Sequence, residues 1–455
     1  MMKFNMYPLL IGIIGSALVS CNRQNKAHDP VQEYAFNDNH WRIENPDGSG
    51  DSLKLVDHQG RQAIMLEPAQ KAFLKESGFE DFVVEFHCNG QTPGVGFRVQ
   101  DPRNYEYLYL RTFLGGNRDA LQYTPIHHGN LPWQLYNYPQ YEGKATYPRR
   151  EVATIPLSFE DQLVNGKASD SLLTALGNKG VVFSEESFVD TPDGSPAYIY
   201  DPASSEALLF EKREEGIAFL DYRTWVHVKA EVLGNKMSVF VDDMEAPTFV
   251  VDDLKHETRA GGINLYSTFG EVYFSDFSIA EIKSDQTRSS DTDVAQIGPN
   301  YITKWYISEM FAKDSVNFPQ QADSLLKLRD KFKEINADND GLVNISRFYD
   351  DMDNTIVLTS QIVSDAEKEV ELHFDYADHL VVLLNSETLF DGGMDFRPPP
   401  NKGAEGRVFV QDERTTLKLR QGVNWLSFML SGDNRQKFNW GCIAKLEHLD
   451  GISLE

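Results

Sequence analysis

Cysteine is scarce, with three among 455 residues. Three thiols cannot build a disulfide scaffold or a four-cysteine zinc site. Basic residues are outnumbered, 43 Lys and Arg against 69 Asp and Glu, and the net charge is −26. So acidic a surface repels phosphate backbones, which argues against nucleic acid as a partner. After the first twenty residues no apolar run approaches the roughly 18 residues that read as a membrane-spanning helix. Catalytic signatures are equally thin. The chain has no Gly-x-Ser-x-Gly elbow and no His-Glu-x-x-His zinc motif.

Aromatic residues, by contrast, are abundant at 12%, with 28 Phe, 19 Tyr and 6 Trp. Hydrophobic residues at 41% and charged residues at 25% suffice for sizeable cores. At roughly 150 residues per domain the length suits three units or two large ones. Trp225 to Val232 alternates apolar and polar residues, Gly234-Asn235 reads as a turn, and Met237 to Val241 as the return strand of a hairpin. The same spacing recurs over 81–87, 95–99, 105–111, 261–266 and 271–279. Many short strands between Gly, Asp and Asn turns predict an all-β chain of antiparallel sandwiches with few short helices. The polar, acidic stretch Ser284 to Pro299 reads as a linker between a first domain over 34–283 and a second over 300–455. In the second, apolar residues Ala322, Leu325, Leu326, Leu328 and Phe332 predict one helix over 320–334, followed by strands to the C-terminus.

Residues 1–20 read as a secretory leader: Lys3 supplies positive charge and Leu9 to Val19 a short apolar stretch. They end in Leu18-Val19-Ser20-Cys21, which resembles the lipobox of bacterial lipoproteins. The resemblance implies lipidation of Cys21, a polar tether over 21–33, and an extracytoplasmic protein held at a membrane by lipid chains. No Asp directly follows Cys21, so inner-membrane retention has no support in that feature.

Arg111, then Asn117-x-Asp119-Ala-x-Gln122-Tyr123-Thr-Pro125, then Trp133-Gln134-Leu-Tyr136 resemble a group of secreted bacterial concanavalin A-like lectin/glucanase domains. Val241-Asp242-Asp243, Gly261-Gly262-Ile263 and Tyr273 to Phe277 share that likeness, which extends to laminin-G-like and 3-keto-disaccharide hydrolase-type modules. The likeness implies a carbohydrate partner. Arg111, Asn117, Asp119, Gln122 and Gln134 would supply hydrogen bonds to hydroxyls, and Tyr123, Trp133 and Tyr136 stacking faces. A structural reading stands beside it, in which Arg and Gln tie strands together and Trp133 anchors a core. The second domain resembles a galactose-binding-like jelly roll. One departure from the group is a long insertion near 147–215, either a cap on the binding surface or drift.

The glucanase relatives place their acids in Glu-x-Asp-x-x-Glu, and this chain lacks that pattern. Glu85 and His87 share a strand face and are a weak acid–base pair. Asn336-Ala-Asp338-Asn-Asp340-Gly341 starts like a calcium loop, but the twelfth position is Arg347 where a bidentate Glu belongs. No cofactor is expected, with a structural calcium left open. The adjacent His127 and His128 read as loop residues. Cys88 and Cys442 are either a bridge or two buried thiols. The expected function is carbohydrate binding at the cell envelope. The alternatives are a glycoside-active enzyme, hydrolase or lyase, and a protein-docking lipoprotein.

Overall fold

The computed structural model describes residues 30–191, 197–283, 297–313, 327–393, 407–432 and 440–455. The leader, Cys21, most of the tether, most of the linker and residues 320–326 of the expected helix lie outside them. Among the described residues the chain is almost wholly antiparallel β-structure, with one α-helix, Asp170–Gly177. No helix among them is long and apolar enough to cross a membrane.

Two eight-stranded sheets form the first sandwich. One sheet centres on Phe82–Gly90, flanked by Val226–Leu233 and Val272–Glu281. The other runs through Asn104–Leu110, Pro93–Asp101, Gly261–Ser267 and Lys71–Phe79. Alternation does the sorting, because strand side chains point to opposite faces in turn. Phe82, Val84, Phe86 and Cys88 face inward, and so do Val95, Phe97, Leu108, Leu110, Ile263 and Leu265, making one dry core between the sheets. Tyr105, Tyr107 and Tyr109 share the opposite face, as their spacing requires, and are also buried.

The second sandwich pairs a sheet built on Asn354–Ser364 and Gly422–Ser431 with a smaller one built on Lys368–Ala377 and Gly441–Leu446. Trp305, Leu358, Phe374, Phe428 and Trp440 fill its core. The expected helix gives way here. Arg329–Lys331 form a single 3-10 turn and Lys333–Asn336 a strand beside Lys304–Ile307. Ile335, buried opposite Trp305, explains the outcome: one apolar residue between polar neighbours satisfies a strand edge. Cys88 and Cys442 lie in separate cores as free thiols, both pushed up by burial.

The insertion is a unit of its own. Strands from Arg150–Ile155 to Gly216–Asp221 form a six-stranded sheet, so its far edge extends beyond 215 to Asp221. Ser169 caps the helix by accepting from the Leu172 amide, and Leu172 and Leu176 bury against one face of the sheet.

Candidate functional site

The residues marked by sequence do come together, but inside the molecule. Gln122 is fully buried on Leu121–Ile126. Its amide nitrogen donates to the carbonyls of Tyr136 at 2.8 Å and Trp133 at 3.2 Å, and its oxygen accepts from the Tyr109 hydroxyl at 2.8 Å and from Arg111. Arg111 also donates to the Asp119 carbonyl at 2.9 Å. The Gln122 amide is therefore fully engaged: its nitrogen holds the 127–141 loop to the sheet and its oxygen is taken by Tyr109 and Arg111.

Arg407 completes this cluster from the second sandwich. It is 1% exposed, and its guanidinium meets Asp119 at 2.9 Å and Glu142 at 2.8 Å while lying 4.9 Å from the centre of the Trp133 ring. Arg111 approaches the same ring at 5.7 Å. Burial pushes the Glu142 carboxyl up, against the opposing pull of Arg407. The Val408 amide donates to the Gln134 carbonyl at 2.9 Å, and Asn137 donates to the Val408 carbonyl at 2.6 Å. Leu342, Ala377, Val408, Val410 and Ile443 of the second sandwich join the core of the first.

This placement corrects the stacking roles. The Tyr123 and Tyr136 rings are fully buried and Trp133 is 7% exposed, so none offers a face to a ligand arriving from water. The Tyr123 hydroxyl donates to Glu106 at 2.6 Å, and that of Tyr136 accepts from Asn344 of the second sandwich at 3.0 Å. Gln134 is fully buried beside the seam. The motif builds a joint between the two sandwiches, in line with its structural reading. Asn117 alone stands apart, half-buried on the loop that leads out of the joint.

The calcium-like loop belongs to the same seam. Lys255 of the first sandwich places its ammonium 2.8 Å from Asp253, 3.1 Å from Asp340 and 3.9 Å from Asp338, and Arg347 pairs with Asp338 at 2.5 Å. The loop's carboxylates thus already hold two side-chain cations. Among the described residues no cluster of His, Cys, Asp and Glu stands ready for a metal. His127 stacks on His256 at 4.0 Å, and His128 Nδ1 lies 2.8 Å from the Ser346 carbonyl. Glu85 pairs with His227 at 2.7 Å rather than with His87, whose ring stacks on that of His227 at 4.4 Å.

An open site lies on the other side of the 112–119 loop. A cleft of about 410 Å³ runs between this loop and the insertion sheet. Gly115, Tyr147 and Arg149 form one wall, and Glu151, Glu211 and Arg213 the other. Gly115 is required there, because a Cβ would sit 2.9 Å from the Tyr147 ring. The Tyr147 hydroxyl donates to the Ala120 carbonyl at 2.6 Å, which fixes the loop against the wall. Arg149 donates to the Gly115 carbonyl at 2.7 Å. Arg213 bridges Glu151 at 2.6 Å and Glu211 at 2.6 Å, and the hydrogen bond from Thr154 holds the Glu151 carboxyl below its ordinary range.

Cross-strand register extends this wall. Glu151 and Leu209 lie opposite Leu220, Glu211 opposite Ala218, Tyr198 opposite Leu209, and Phe188 opposite Tyr200, so all share one face. Phe113 meets Tyr222 edge-on at 6.2 Å where this face reaches the loop, and Phe188 meets Tyr200 at 5.2 Å farther along. Phe113, Phe188, Tyr198 and Tyr200 are half-buried. The sequence reading passed over these positions. The alternation Ala207, Leu209, Glu211, Arg213 was their available signal, and its end is charged where a buried strand would be apolar.

No family model matches the chain, and no curated protein matches it. Among solved structures the chain is similar to the carbohydrate-binding module CBM66 from Bacillus subtilis, at 11% identity over 53% of this chain and 94% of that one, with a TM-score of 0.25. It is similar to domain 4 of AbnA, an extracellular arabinanase from Geobacillus stearothermophilus, solved with arabinotriose. There the identity is 12%, over 59% of this chain and 100% of that one, with a TM-score of 0.27. The VIP36 exoplasmic/lumenal domain, solved with calcium and Man3GlcNAc, shows 8% identity over 59% of this chain and 94% of that one, with a TM-score of 0.27. At such scores the functional argument rests on the residues of the chain itself.

Proposed function

We propose that this is a carbohydrate-binding protein of the cell envelope, extracytoplasmic and held at a membrane through lipid on Cys21. The observation that carries the reading is the cleft. Sugars present apolar C–H faces and hydroxyl edges, and a site for them needs aromatic surface next to planar polar groups. Half-buried Phe113 of the 112–119 loop and Tyr198 of the insertion sheet pack against the patch that contains Leu220, and Leu220 in turn lines the cleft with Arg149, Glu151, Glu211 and Arg213. Its volume of about 410 Å³ suits one or two sugar rings. The leader and lipobox resemblance supports the envelope location.

The chemistry favours holding over cleaving. A glycosidase needs one carboxyl that keeps its proton near neutral pH. At the cleft, Glu151 and Glu211 are both tied to Arg213, and Glu151 is held below its ordinary range. Native affinity electrophoresis through gels containing a panel of polysaccharides tests the reading. Retardation by at least one polymer, without clearing of the gel, is expected, and Phe113→Ala with Tyr198→Ala should abolish it while the melting temperature stays near that of the parent. Migration unchanged by every polymer, or retardation untouched by the double substitution, would sink the proposal. Clearing would replace it with hydrolysis.

A further inference from the structure

Arg149 differs from the other arginines of the interior. Arg98 lies 3.5 Å from Asp81, Arg111 4.0 Å from Asp119, and Arg407 within 3 Å of two acids. Arg149 has no carboxylate within ion-pair distance among the described residues. Its one protein hydrogen bond, from Nη2 to the Gly115 carbonyl at 2.7 Å, uses a single donor and fixes the plane of the guanidinium. The acid that acts on it electrostatically is Glu211, and Glu211 is already engaged by Arg213. Burial of this guanidinium pushes its pKa down, with the charge of Glu211 pulling the other way.

At the wall of a cleft, a half-buried guanidinium oriented by one hydrogen bond and with no carboxylate in ion-pair contact can receive a planar anion. A carboxylate matches its fork with two parallel hydrogen bonds, and a sugar that carries one is a uronic acid. We propose that the cleft binds an acidic saccharide and that Arg149 receives the uronate carboxylate. The assignment rests on the cleft being the saccharide site. The overall charge of −26 does not forbid it. At physiological salt the repulsion of distant acids is screened over about 8 Å, whereas a contact pair in a partly desolvated cleft is screened far less.

The test compares each acidic oligosaccharide with its own methyl ester, which removes the charge and keeps the sugar. Trimers of galacturonate, mannuronate and glucuronate, each as acid and ester, would be titrated calorimetrically into the full-length chain in detergent. At least one acid should bind about tenfold or more tighter than its ester, as a charge-assisted pair implies. That preference should shrink with added salt, disappear in Arg149→Gln, and survive in part in Arg149→Lys. Equal affinity for acid and ester would overturn the carboxylate assignment and leave the saccharide reading standing. Binding of the acid retained in a folded Arg149→Gln would overturn it too. Failure of every acid and ester would overturn it as well, and the neutral polymers of the gel assay then decide whether the saccharide reading falls with it. The acid–ester comparison uses the parent chain, so the outcome does not depend on any variant folding.

Discussion

At the scale of single residues, Arg407 decides most. It brings a positive charge into the first sandwich, where it contacts Asp119 and the fully buried Glu142, with the more distant Arg111 the other cation near these acids. Removing one partner of such a group leaves the others uncompensated, which typically costs about 3–5 kcal/mol. Arg407→Ala should therefore lower the midpoint of denaturant unfolding by that order, and Arg407→Lys should recover only part of it, since an ammonium cannot reach both acids and cover Trp133 as the flat guanidinium does. A loss below 1 kcal/mol would mean that the seam is held by its apolar contacts alone. The sequence made the residues of this joint visible and left their purpose open. Arg, Gln, Trp and Tyr at that spacing satisfy a glycan and a domain interface equally well. Only the burial of Gln122, Tyr123 and Tyr136 separates the two cases, and burial depends on a segment nearly three hundred positions away.

At the scale of elements, the insertion is the part most nearly separable. Arg150 and Asp221 are register partners at its base, so the chain leaves and re-enters the first sandwich at neighbouring points. A short turn joining 149 to 222 should close without strain, and the helix and its own core would depart together. The shortened chain should keep its β-rich circular dichroism and lose all retardation in polysaccharide gels. If it still bound sugar, the site would lie elsewhere. Strand spacing and the hairpin turn at Gly234-Asn235 were readable because alternation is imposed by the pleat itself. The helix expected over 320–334 was not, because its described end pairs with a neighbouring strand, and pairing outweighs a loose helical spacing.

At the scale of the whole molecule, buried acids set the pH response. Burial raises Asp338 to about 6 at the seam and Asp375 to about 8 in the second sandwich. Both lie above the ordinary value of an unfolded aspartate, so the native state holds protons that the unfolded chain has released. Their contribution is full below about pH 4 and is lost as pH rises through 6 for Asp338 and 8 for Asp375. The melting temperature should therefore climb as pH is lowered from 8 towards 5, opposite to a protein dominated by salt-bridged carboxylates. A melting temperature that fell over that interval would contradict it. Two sandwiches were foreseeable from strand count and the polar break after 283, but their shared core was not, because nothing in the local pattern of Leu342, Val408 or Ile443 says which sheet they will meet.

The close approach at Gly441 gives the seam a further meaning. A Cβ there would fall 2.5 Å from the Val343 carbonyl and 2.6 Å from Leu135 of the first sandwich. Together with Arg407 it makes the halves a matched pair rather than beads on a string. Recombination that exchanged one half for a cousin from another genome would have to bring the fitting glycine and arginine with it. The insertion, with its own core and a base at Arg150 and Asp221, carries no such matching demand.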